Sequence, residues 1–97
     1  MATMVKTDQI NADFDRGADV LYLALDPPRP DEGEDGDGGV VLRFGVSDDR
    51  PSGVTVIGYV QSGWSQRLGD LGQIVSKHLS VRPEDVIKTI ERAESRK

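Results

Sequence analysis

Residues Val20 to Leu25 read VLYLAL, six in a row without a charge. A strand with one wet face alternates apolar and polar side chains. This one does not alternate, so it reads as an interior strand covered on both sides. A chain of 97 residues makes one domain. A domain of that size buries only about 60–70% of its unfolded surface. One small layer of helices cannot shield both faces of such a strand. The pattern therefore implies a second cover: another copy of the chain, a partner protein, or the C-terminal part folding round.

The neighbouring segments supply the rest of a sheet. Ile10, Ala12 and Phe14 alternate with Asn11, Asp13 and Asp15, the period of a half-buried strand. Arg16-Gly17 reads as a tight turn, with Gly17 free to take a positive φ. Val40, Leu42, Phe44 and Val46 alternate with Val41, Arg43, Gly45 and Ser47. Asp48 to Gly53 (DDRPSG) signals another turn, and Val54 to Val60 (VTVIGYV) another strand with Gly58 at a bulge or close approach. Beyond this the period changes. Leu68, Leu71, Val75 and Leu79 fall at helical spacing, and Ser80 to Pro83 interrupts them. Pro83 suits a first helical position, Glu84 and Asp85 suit the positive end of the helix dipole, and Val86, Ile90 and Ala93 line one face. The expected fold is α+β: a four-stranded antiparallel meander followed by two C-terminal helices packed on the sheet. Residues 1–97 form one domain, with a frayed N-terminus (1–9), a mobile connection (26–39) and a helical tail (66–97).

Charge narrows the partners. Twelve Lys and Arg stand against 17 Asp and Glu, a net charge of −5. Asp31, Glu32, Glu34, Asp35 and Asp37, within DEGEDGDGG, account for that whole excess. Pro27, Pro28 and Pro30 precede them and lack backbone donors. No apolar side chain offsets the entropy of ordering residues 31–39, so the segment reads as a solvated loop. A calcium loop starting at Asp31 would need an acid at Gly33 and a bidentate acid at Leu42, and has neither. An acidic chain does not suit nucleic acid. Gly69 to Gly72 forms a GxxG string, but Asp70 within it would repel phosphate. There is no cysteine, hence no disulfide or thiolate metal site. No apolar run approaches the roughly 20 residues that span a bilayer, and the N-terminus lacks the apolar stretch of a signal peptide. The expectation is a cytoplasmic protein with no cofactor, no metal, and no nucleic-acid or membrane partner.

The first hairpin carries a specific string: Phe14-Asp15, then Ala18-Asp19, then Leu21-Tyr22-Leu23 and Leu25. It resembles the opening of the bacterial family called domain of unknown function 2283, aromatic-Asp-x-x-Ala-Asp-x-Leu-Tyr-aliphatic. Gly39-Val40-Val41-Leu42 is similar to a later family strand, with Gly38 where an acid is usual. Gly53 to Ile57 is similar to another, with Thr55 in place of Glu, and Ser65-Gln66-Arg67-Leu68 looks like the family's Ser-x-x-Leu ending. The likeness spans residues 10 to 68. That family has no recognised catalytic residues. Some members look like partners of toxin-like proteins, which implies an antitoxin-type module, here with an acidic loop facing a basic toxin.

Read on their own chemistry, Asp15 and Asp19 flank a turn whose backbone N–H groups they can accept. A carboxylate pair with His78, the single histidine, is the one set a small hydrolase or ligand pocket could use. His78 follows Lys77 in a helical stretch and reads as a half-exposed surface residue. Trp64, in a polar segment after the last strand, either caps the core or anchors an interface together with Ile57 and Tyr59. The reading these residues favour is a non-enzymatic interaction module that pairs with itself as a homodimer or with another protein.

Overall fold

The computed structural model describes residues 10–27 and 29–95. The expectations for residues 1–9, Pro28, Arg96 and Lys97 lie outside them. Among the described residues the fold is α+β, with five antiparallel strands and two α-helices. The strands are β1 (Ile10–Asp15), β2 (Val20–Leu25), β3 (Asp31–Asp35), β4 (Val40–Gly45) and β5 (Pro51–Ile57). The helices are α1 (Leu68–Leu79) and α2 (Pro83–Ser95). In the sheet the order is β1-β2-β5-β4-β3.

Three points differ from the sequence expectation. The sheet has five strands, because β3 occupies the acidic stretch expected to be a mobile loop. It pairs with Val41–Gly45 along its whole length. Backbone hydrogen bonds supply the order that side-chain burial does not. Asp31 adds to it, accepting from Arg43 at 2.8–2.9 Å and from the Ser52 hydroxyl at 2.8 Å. Gly33 permits the close approach, since a Cβ there would lie 2.5 Å from Val41 Cγ1. Second, the sheet is not a meander. The chain leaves β2, crosses to the far edge as β3, and returns through β4 to β5, which pairs with β2. The apolar β2 is thus interior, while β5 is the central strand. Third, β5 begins at Pro51 and stops at Ile57, so the expected turn at 48–53 and strand at 54–60 are each displaced by about three residues. Gly58 takes φ +73° and ends the strand. The register shift lies at Arg43/Phe44 instead.

Side chains alternate across this sheet, so each residue row has a defined side. Ile10, Ala12, Leu21, Leu23, Val40, Val54 and Val56 point one way and are buried. Against them lie Leu71, Val75 and Leu79 of α1 and Val86, Ile90 and Ala93 of α2. Helix α2 covers β1 and α1 covers β5. The two helices pack on each other at Gly72, where Ile87 comes so near that a Cβ would meet its Cγ1 at 3.1 Å. Ser80, at φ +59°, closes α1 by donating its amide to the Ser76 carbonyl. Both helices stand on one side of the sheet. Among the described residues no helix or strand covers the other side.

Candidate functional site

The uncovered side is the candidate site. The pairing registers set its residues in rows. One row crosses all five strands: Asp13 of β1, Tyr22 of β2, Thr55 of β5, Val41 of β4 and Asp35 of β3. A second runs Asp15, Val20, Ile57. A third runs Asn11, Ala24, Gly53, Arg43, Gly33. The middle of the face is apolar and the flanks are acidic. Tyr22 is 45% exposed and Ile57 53%, large values for such side chains in a sheet. Thr55 lies between Tyr22 and Val41 and is only 8% exposed. Val20, Ala24 and Val41 are half-buried, whereas Asp13, Asp15 and Asp35 are exposed. Gly53 holds the third row low, because a Cβ there would lie 2.5 Å from the Leu23 carbonyl oxygen.

Arg43 is the one base in these rows. Its guanidinium is held by Asp31 at 2.8 Å, and that hydrogen bond holds the Asp31 carboxyl below the usual carboxylate range. The two charges cancel locally. Asp13, Asp15 and Asp35 have no such cation beside them in the rows.

The sequence-derived site residues divide differently. Asp15 accepts from the Ala18 amide at 3.1 Å. Asp19 takes the left-handed conformation (φ +57°), not Gly17 as the turn was read. An aspartate tolerates this backbone because its short polar side chain bonds locally. Here it reaches further: one carboxylate oxygen accepts from the Val60 amide at 2.9 Å, the other from the Gln61 amide at 3.0 Å. Its carbonyl accepts from Gly58 and Tyr59. Asp19 therefore ties the β1–β2 turn to the turn after β5. Ala18 is exposed in that turn, Phe14 packs edge-on against Tyr59, and Leu21 is fully buried.

Trp64 and Tyr59 are not surface anchors. Trp64 is 7% exposed and its indole Nε1–H donates to the Gly38 carbonyl at 2.7 Å, while Arg67 stacks on the ring. Tyr59 is fully buried and donates its hydroxyl to Glu94 at 2.6 Å. The Gly58 turn reverses the chain, so Ile57 faces outward and Tyr59 inward. Of the three expected interface residues only Ile57 is exposed. Tyr22, which the sequence offered only as part of the hairpin string, joins it there; its place opposite Asp13 and Thr55 was invisible until the strand order was known.

Asp15, Asp19 and His78 are not brought together. His78 donates from Nε2 to the Arg43 carbonyl at 3.0 Å and sits edge-on to Phe44. Arg43 pairs with Gly53, four residues along β5 from the Ile57 end where Asp19 lies. At about 3.3 Å per residue that is roughly 13 Å. Among the described residues no group of three or more His, Cys, Asp or Glu is placed to hold a metal ion. A groove near His78 contains Arg29 and Arg50, but Arg29 is spent on the fold: it donates to the Arg50 and Pro51 carbonyls and pairs with Asp48 at 3.5 Å. No described helix is long and apolar enough to cross a membrane.

Compared with known proteins, the chain matches no family model, no curated protein and no solved structure.

Proposed function

We propose that the protein is a non-enzymatic protein-interaction module that works through the uncovered face of its sheet. One observation carries this reading. Tyr22, Ile57, Val20, Val41 and Ala24 surround Thr55 at the centre of the side opposite both helices. What supports the reading is two large side chains, Tyr22 and Ile57, both about half exposed on adjacent strands of one sheet face, where a partner can bury them. A homodimer and a complex with another protein would both use it.

The test is site-specific photo-crosslinking in cells that carry the gene natively. A photoreactive residue at position 57 should yield a protein adduct, self or unlike, identified by mass spectrometry. The same residue at Gln73, exposed on α1, should not. Equal adduct yields at the two positions, or none at position 57, would remove the reading.

A further inference from the structure

Resting on that reading, we infer that the face is occupied by an unlike, basic polypeptide and not by a second copy of this chain. The argument comes from where the acids stand. Asp13 and Asp35 lie at opposite ends of one row, four strand spacings apart. That is about 19 Å at about 4.8 Å per spacing. Asp15 stands beside Asp13 on β1. The apolar centre between them spans three strands, with Val20, Tyr22 and Ala24 on β2, Ile57 on β5 and Val41 on β4, of order 150–200 Å². A stable symmetric dimer buries about 800 Å² per partner. Any complex on this face must therefore include its acidic flanks.

For a second copy laid face to face with its strands aligned, those flanks are repulsive. A two-fold axis parallel to the strands lays β1 over the partner's β3, so Asp13 meets Asp35. A two-fold axis across the strands lays β1 over β1, so Asp13 meets Asp13. Arg43 does not relieve this, being already engaged with Asp31. Like charges brought into one interface oppose association, whereas complementary ones favour it and select the partner. The matching surface has an apolar centre with Lys or Arg on both flanks, spaced to meet Asp13 and Asp15 on one side and Asp35 on the other.

The probe is a pair of synthetic peptides with one shared apolar centre, flanked by lysines in one and glutamates in the other, titrated into the ¹⁵N-labelled full chain. The lysine peptide should shift amides of β2, β4 and β5 and bind at least tenfold more tightly than the glutamate peptide. Its affinity should fall at least fivefold between 50 and 500 mM salt, and at least fivefold in the Asp13→Asn/Asp35→Asn variant. Equal binding of the two peptides, or no shift of those amides by either, overturns the inference. So does self-association of the wild type that strengthens with salt and disappears in Tyr22→Ser/Ile57→Thr. That last result would name a second copy as the occupant and leave the interaction module standing, whereas failure of the position-57 crosslink removes the module itself.

Discussion

Asp19 and Tyr59 show how much of this small fold depends on single polar side chains placed where two turns meet. Asp19 satisfies two backbone amides of another turn while holding a backbone conformation most side chains avoid. Replacing it with Ala removes both acceptors and the local bonding that offsets the left-handed strain. The expected cost is about 1–3 kcal/mol in urea unfolding. Asn keeps one acceptor and tolerates the backbone, so Asp19→Asn should cost less than half as much. Equal losses would show that the carboxylate charge, not geometry, matters there. Tyr59 tests a different term. Its burial raises the phenol's pKa, and the hydrogen bond to Glu94 raises it further. A raised folded-state pKa adds stability that is present below the ordinary phenol value of about 10 and is lost as pH climbs above it. Tyr59→Phe should thus cost about 1–2 kcal/mol near neutral pH. The gap to wild type should narrow in melts taken above about pH 10. A gap that stays constant to high pH would separate the hydroxyl from the alkaline loss.

Among the elements, β3 is the one whose order rests least on packing. It lies at the sheet edge with β4 as its one neighbour, and the helices stand over β1 and β5. Charged residues on an edge strand also discourage other chains from adding to it. Its anchor is Asp31, whose carboxyl Arg43 holds below the ordinary range. A lowered carboxylate pKa contributes stability above the unfolded value of about 4, and that contribution disappears as pH falls through the folded value. Asp31→Asn should cost roughly 1–2 kcal/mol at pH 7 and approach zero cost in acid. The check is the difference between wild-type and variant stability from pH 7 down to pH 2; a difference unchanged in acid would assign the anchor to something other than the ion pair. This strand was also the least legible in the sequence. DEGED has low strand propensity and no apolar residue, and its order comes from pairing with Val41–Gly45, which no local pattern announces. The period-two run at Ile10–Phe14 and the Pro83 start of α2 were legible because burial on one face writes its period into the sequence. The displaced bounds of β5 have a simpler origin. Ser52 and Gly53 looked like turn residues, yet they sit buried in the sheet, Ser52 bonded to Asp31 and Gly53 packed on the Leu23 carbonyl.

At the scale of the whole molecule the sheet has two faces with unequal claims on stability, and β2 carries both. Leu21 and Leu23 point into the helices and are buried, while Tyr22 between them points into the open. The doubly apolar pattern of VLYLAL was legible in the sequence; which of its residues would stay uncovered was not, since that depends on both helices choosing the same side. Leu23→Ala should cost about 2–5 kcal/mol, the price of an interior cavity. Tyr22→Ala removes a side chain already near half exposed and should cost less than 1 kcal/mol, mostly lost strand preference. Urea unfolding of both variants, each at low micromolar and at near-millimolar protein, reads the two faces separately. If a second copy covers Tyr22 at high concentration, the cost of Tyr22→Ala should rise with concentration, because assembly adds stability by mass action. With acids flanking the face on β1 and β3, the expectation is a cost that stays small and does not depend on concentration. A rise would mean that apolar burial at the centre outweighs the repulsion between like flanks.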